Sequence, residues 1–343
     1  MQTSLKVGLI GAGRLGKMYG QYLAHQVPGV ELAAIADCKT EVAKAVAGEL
    51  GVAKSYARHE DLLDDREVEA VAVVTSTSTH KQVVMDAARS GKAIFCEKPI
   101  SLTLEDAAEM IELVAAKGLF FQMAFQRRFD RGYLAAKKKL EEGAIGDPVI
   151  FISISRDPYA PPIEFCDPKV SGGLIADMGV HDFDAARMYM GEVARVNAIG
   201  GTLAYPEMKS VGDIDNAIVD LVFQSGALGA VQLSRNAVYG YDIRGEIWGT
   251  KGSIQIGYDR QTPILMFTRD GISHDAVPYF MERFEHAYLA QIRNFAEHVR
   301  QGLPPSITGA DAVAALRISL AANRSLRERR SVDMVELAER QTA

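Results

Sequence analysis

Three groups of residues have types and spacings that can do chemistry. Gly11-Ala12-Gly13-Arg14-Leu15-Gly16 follows the apolar run Leu5 to Ile10 and opens a stretch of helical periodicity. A GxGxxG in that setting cradles a dinucleotide. Gly11 permits the tight turn, Gly13 lets the backbone approach a pyrophosphate, and Gly16 lets the helix pack closely on the strand. The helix N-terminus adds N–H groups and a favourable dipole. Asp37 ends the next apolar run, Leu32 to Ala36, at about the ~20-residue interval where an acid meets the adenosine ribose. Its carboxylate can accept from both ribose hydroxyls and would repel a 2′-phosphate, so NAD is expected over NADP, with Lys39 close enough to soften the discrimination. FAD and S-adenosylmethionine folds share the arrangement, so the fingerprint alone does not choose a chemistry.

The second group is Glu97-Lys98-Pro99, at the end of a later strand and so at the carboxyl edge where open α/β sheets bind ligands. Glu97 can hold the ammonium of Lys98 or a cofactor ribose. Pro99 rigidifies the turn, and a cis bond there would point the lysine inward. The third group lies in Ser171 to Asp184, a loop entering a helix, where Asp177, His181 and Asp184 fall on one face at spacings of four and three. Amid Ile175, Met178, Phe183 and Met188, such polar groups need a ligand or one another. With no HExxH and no second histidine nearby, no metal is expected.

The elements that must position these groups follow from periodicity. From residue 5 to about 123, short apolar runs (5–10, 31–36, 70–74, 93–96, 119–123) alternate with helical stretches (15–25, 40–50, 79–90, 104–116). That is the pattern of a doubly wound parallel sheet. Gly51, Gly91 and Gly118 follow helical stretches, where a left-handed C-cap is expected. Beyond residue 123 the alternation ends. A helix near 131–142 and strands at 148–155, 194–203, 216–224, 229–236, 244–249 and 253–256 predict an α+β second domain with an open, mostly antiparallel sheet. Amphipathic helices at 283–300 and 311–329 close the chain. The expected organisation is therefore a Rossmann domain over 1–123 and a second domain over 124–343.

Composition narrows the classes. Of 343 residues, 48% are apolar and 24% charged, which fits an ordinary globular protein. A net charge of -6 offers no footprint for nucleic acid or an anionic membrane. No apolar run approaches the ~20 residues of a membrane helix, and the N-terminus lacks a signal peptide's basic region and apolar core. Cys38, Cys96 and Cys166 make no CxxC pair. The expectation is a cytoplasmic protein with no nucleic acid or membrane partner.

Taken together, the GAGRLG turn, Glu97-Lys98-Pro99, and the run from Gly172-Gly173 through Asp177 to His181-Asp182 resemble the Gfo/Idh/MocA oxidoreductases along essentially the whole chain. Gln126 to Asp130, Arg156-Asp157-Pro158 and Tyr239 to Asp242 are similar to the inositol 2-dehydrogenase branch. The resemblance implies a catalytic set on Lys98, Asp177 and His181, NAD across the first domain, and a cyclic polyol held against its nicotinamide. It also implies a homotetramer assembled through the open sheet of the second domain. Cofactor contacts are expected from Gly11, Ala12, Gly13, Arg14, Leu15, Gly16, Asp37, Thr75, Ser76, His80, Glu97 and Lys98.

Oxidising a secondary alcohol needs a base for the hydroxyl proton while hydride leaves carbon. His181 is the expected base, and Lys98 the donor that steadies charge on the reacting oxygen. Asp177 would hold substrate hydroxyls or orient the set, and Arg127, Asp157 and Tyr241 are the further candidates to grip the ring. Some inositol dehydrogenases carry a histidine two residues before the position matching Asp157, where this chain has Ser155; the departure leaves the preferred hydroxyl open. The expected reaction is myo-inositol to its 2-keto form. The alternatives are scyllo-inositol or a pyranose as substrate, and an NAD(H)-binding regulator without turnover, against which the intact set argues.

Overall fold

A computed structural model describes residues 4–257 and 260–337. Two compact units emerge, Met1–Gln126 with His286–Leu316, and Arg127–Glu285 with Arg317–Ala343. A single break after residue 123 is therefore corrected by a return segment. The reason is apolar packing: the helix Glu285–Gln301 buries Ala287, Tyr288, Gln291, Ile292, Phe295 and Ala296 along one face. Phe295 packs against Phe95 and Phe120, and Tyr288 meets Tyr19 edge-on.

In unit 1 the order is β1 (Leu5–Ile10), α1 (Arg14–His25), β2 (Val30–Ala36), α2 (Thr40–Leu50), β3 (Lys54–Tyr56), α3 (His59–Leu63), β4 (Ala70–Val73), α4 (Thr77–Arg89), β5 (Ala93–Cys96), α5 (Leu104–Ala116) and β6 (Phe121–Met123). The sheet is parallel with strand order β3-β2-β1-β4-β5-β6. Strand order reverses between β1 and β4, the switch point beside which such sheets bind ligands. β4 is buried at every position, as a strand covered on both faces must be. β3 and α3 escaped the periodicity reading, because Lys-Ser-Tyr is a three-residue edge strand with no apolar alternation. The left-handed positions at Gly51, Gly91 and Gly118 are present.

Unit 2 contains α6 (Arg131–Glu141), β7 (Pro148–Arg156), α7 (Ile163–Cys166), α8 (Pro168–Ser171), α9 (Gly173–Asp177), α10 (Gly179–Met190), β8 (Val193–Gly201), β9 (Asn216–Phe223), β10 (Leu228–Ser234), β11 (Asp242–Gly249), β12 (Gly252–Ile256), the hairpin β13 (Met266–Thr268) and β14 (Gly271–Ser273), and α11 (Phe280–Arg283). α12 (Glu285–Gln301), α13 (Gly309–Glu328) and β15 (Val332–Asp333) follow, and a 3-10 turn, Met334–Leu337, ends the described chain. The large sheet runs β12-β11-β7-β10-β9-β8-β15, antiparallel except for the parallel pair β7 and β10. Phe151, Val231, Leu233 and Ile247 on its inner face join Leu174, Ile175 and Phe183 from α9 and α10 in one core. The segment Ser171 to Asp184, expected as a loop entering a helix, comprises the last residue of α8, the short helix α9 and the first half of α10.

Candidate active site

In unit 1 the loops after β1, β2, β4 and β5 bring the sequence candidates to one edge of the sheet. Gly11 has φ of +94°, a left-handed conformation that glycine adopts without strain. A Cβ on Gly16 would fall onto the Gly11 carbonyl oxygen, whereas one on Gly13 would meet nothing within 4 Å. Gly13 is exposed, N-caps α1 without any side chain, and α1 has no acid in its first turn. This opening, with Arg14 exposed and Leu15 half-buried beside it, fits an anionic pyrophosphate.

Asp37 holds that loop as well as facing its opening. Its Oδ2 accepts from the Ala12 N–H at 2.8 Å and its Oδ1 from the Lys39 N–H at 2.8 Å. Each oxygen keeps a further acceptor site for a ribose hydroxyl. Ala12, expected to contact cofactor, is corrected: it is buried, and its N–H belongs to Asp37. Thr75 is half-buried and Ser76 exposed just beyond β4.

His80 is also corrected. It is fully buried, with Nδ1 2.8 Å from the Pro99 carbonyl and Nε2 3.1 Å from that of Thr75. Burial lowers its pKa against the opposing pull of the two carbonyls, and a neutral ring donates to only one of them, so His80 packs as a strut between the two turns. Glu97 was expected at the ammonium or a ribose. Its Oε1 accepts from the Tyr19 hydroxyl at 2.6 Å and its Oε2 from the Lys98 N–H at 3.0 Å. Tyr19 in turn accepts from the Gln291 amide. Burial pushes the Glu97 carboxyl above its ordinary range, against the pull of Tyr19 and the Lys98 charge. Lys98 is half-buried, and the Lys98–Pro99 bond is cis.

In unit 2, His181 lies in the first turn of α10 and is 9% exposed; Asp177 ends α9. The third member of the expected cluster is removed from it. Asp184 is buried and forms a two-pronged pair with Arg128, at 2.6 and 2.9 Å. Arg127, expected at the substrate, also has a structural role. It is 3% exposed, and it donates to Asp182 at 2.6 Å and to Ser155 at 2.8 Å. Asp182, fully buried, also accepts from Ser153 at 2.5 Å and Ser155 at 2.8 Å. Burial alone would favour loss of the Arg127 proton, but the Asp182 charge keeps the guanidinium firmly cationic. Ser155 thus faces the interior and not a ring hydroxyl.

Asp157 and Tyr241 stay together. Arg156 pairs with Asp242 across β7 and β11, which sets the residues just beyond them side by side at one end of the sheet. Burial, then the Asp157 charge, pushes the Tyr241 phenol well above its ordinary range, so it is a neutral donor. Tyr279 meets it edge-on at 5.7 Å and stacks on Tyr159 at 5.0 Å, an aromatic group that the sequence reading missed. Missed too is Arg235, fully buried with its Nη2 3.5 Å from Asp177 Oδ2. Alternation could have found it: Gly229, Val231 and Leu233 face inward, and 235 continues that phase. Among the described residues the one grouping with metal-ligand proximity is His59, Glu60 and Asp86. It lies on α3 and α4, and Arg58 and Arg89 already pair with its carboxylates.

Residues 5–125 match a family model described as an oxidoreductase family with an NAD-binding Rossmann fold, and residues 133–255 match the GFO/IDH/MocA C-terminal domain. The chain is 40% identical to a myo-inositol 2-dehydrogenase of Thermotoga maritima, over 97% of this chain and 99% of that one. It is 40% identical to a scyllo-inositol 2-dehydrogenase (NAD(+)) of Bacillus subtilis, over 95% of each. A crystal structure of scyllo-inositol dehydrogenase from Lactobacillus casei, with NAD(H) and scyllo-inositol bound, superposes with a TM-score of 0.92 at 29% identity, covering 97% of this chain and 100% of that one.

Arg127→Ala should lower unfolding free energy by about 3–5 kcal/mol, the loss typical when one partner leaves a buried ion pair. Denaturant titration measures it. A change in polyol KM with unaltered stability would return Arg127 to the substrate.

Proposed function

The chain belongs to the Gfo/Idh/MocA oxidoreductase family, and we propose on that footing that it is an NAD-dependent dehydrogenase oxidising one ring hydroxyl of an inositol to a ketone. The observation that carries the reading is the shared edge of the parallel sheet. The loop clamped by Asp37, the turn at Thr75 and Ser76, and Lys98 all follow the carboxyl ends of β1, β2, β4 and β5. A cation on the edge that binds a dinucleotide is suited to the oxygen from whose carbon hydride departs. Myo-inositol is the preferred substrate in this reading, with scyllo-inositol second.

NAD, when bound, accepts the hydride. Gly13 and the first turn of α1 would hold its pyrophosphate, and Asp37 its adenosine ribose. Lys98 donates to the reacting oxygen and favours its alkoxide character. His181 takes the hydroxyl proton. Asp177 accepts from a neighbouring ring hydroxyl, and Asp157 and Tyr241 supply an acceptor and a neutral donor for others. Glu97 acts behind Lys98, fixing the turn that carries it through Tyr19 and the Lys98 N–H.

The quaternary reading is a cytoplasmic homotetramer. On the outer face of the large sheet, Ile150 lies between Leu228 and Trp248, and Ile218 pairs with Ile199. Leu228, Trp248, Ile218 and Ile199 are 52, 46, 43 and 60% exposed. An apolar sheet face of this kind calls for a second copy. No helix among the described residues is long and apolar enough to cross a membrane.

Two measurements test the reaction. NADH production should give the highest kcat/KM with myo-inositol, a lower one with scyllo-inositol and the lowest with glucose, and NADP should serve poorly throughout; preference for glucose would move the chain to the sugar dehydrogenases. In a pH series at saturating NAD, kcat/KM should rise through one ionisation. His181→Gln should lose that ionisation and about 100- to 10,000-fold in rate. A mutant that keeps the ionisation would place the proton acceptor elsewhere.

A further inference from the structure

Among the described residues Arg235 is the largest fully buried side chain. It follows β10 on the phase that points into the core, and its backbone N–H donates to the Asp215 carbonyl at 2.9 Å. Its guanidinium meets three groups from separate segments. Nη1 donates to Cys166 Sγ at 2.9 Å and lies 3.7 Å from Asp213 Oδ2, while Nη2 lies 3.5 Å from Asp177 Oδ2. Asp213 completes the arrangement from its other oxygen, which accepts the Leu174 N–H at 3.0 Å in the first turn of α9. Gly173 has φ of +73°, and a Cβ there would press on the same carboxylate. Both ends of α9 therefore answer to one buried cation: its start through Asp213 and its last residue, Asp177, directly.

Burial pushes the Asp213 carboxyl up, with the Arg235 charge opposing. Burial also raises the Cys166 thiol, so the sulfur is a neutral acceptor that anchors one prong of the fork. An arginine suits this position because its rigid planar fork points at several acceptors at once; an ammonium on a flexible stem does not.

We propose that Arg235 is a positioning residue for the reaction, fixing the Asp177 carboxylate in the orientation from which it binds a ring hydroxyl. The proposal rests on the assignment of Asp177 to the substrate. Arg235 would reach the substrate only by way of Asp177, which it meets directly and, through Asp213 and the start of α9, indirectly.

Arg235→Lys keeps the buried charge, so the fold is retained, but one ammonium cannot serve Cys166 and Asp177 in the same geometry. The variant should raise the KM for myo-inositol about fivefold or more, change kcat less, and bind NADH within about twofold of wild type in a fluorescence titration of the same sample. A thermodynamic cycle with Asp177→Asn gives the readout that a merely structural arginine would not. Adding Arg235→Lys to Asp177→Asn should alter kcat/KM by less than about twofold, because the group it positions is already gone. Wild-type KM and kcat in Arg235→Lys, or losses that multiply in the double variant, would overturn the proposal while leaving Asp177 in place. Full activity in Asp177→Asn would overturn the parent assignment and this proposal with it.

Discussion

A guanidinium withdrawn from water persists only beside matching negative charge, and unit 2 is arranged around two of them. Arg127 is matched by Asp182, and Arg235 by Asp177 and Asp213. The first pair ties α10 to β7, because Asp182 sits one residue beyond His181 and reaches Ser153 and Ser155 on the strand. The second ties α9 to the segments on either side of β9 and β10. His181 and Asp177 therefore sit where the buried charges require α10 and α9 to lie. Such pairs contribute little net stability against an apolar alternative; what they supply here is placement.

Unit 1 solves the same problem with backbone groups. Asp37 spends one lone pair on each oxygen in holding Ala12 and Lys39, so the acid proposed to bind the ribose also fixes the glycine loop. Glu97 repeats the device at the Lys98 turn, with Tyr19 from α1 and the Lys98 N–H as its partners. The dinucleotide helix and the lysine turn are thereby joined through one buried carboxylate. His80 does the same for the Thr75 and Pro99 turns.

Most of this architecture was legible in the sequence where local pattern governs it. The parallel sheet, its helices, the glycine loop, Asp37 and the strands of the second sheet follow from periodicity and spacing, and β5, α2 and α5 fall on the expected residues. The return of 286–316 to unit 1 was not legible, because an amphipathic helix declares a buried face without naming what covers it. Side-chain roles failed for a related reason. Arg127, Asp184 and His80 are polar residues near motifs, and residue type does not distinguish a ligand contact from a strut when the partner lies some 50 residues away, as Asp182 does from Arg127. Strand phase did carry unused information. Phe151, Ser153 and Ser155 share the inner face of β7, and two inward serines require a buried partner.

In the proposed reaction hydride passes from a ring carbon of inositol to NAD. Turnover with myo-inositol deuterated at carbon 2, followed by mass analysis of the recovered nicotinamide cofactor, tests it directly. The account predicts NADH carrying one deuterium and the 2-keto product without it. Unlabelled NADH with the deuterium still on the ring would show that another carbon is oxidised, and no reduction of NAD with either inositol would contradict the account as a whole.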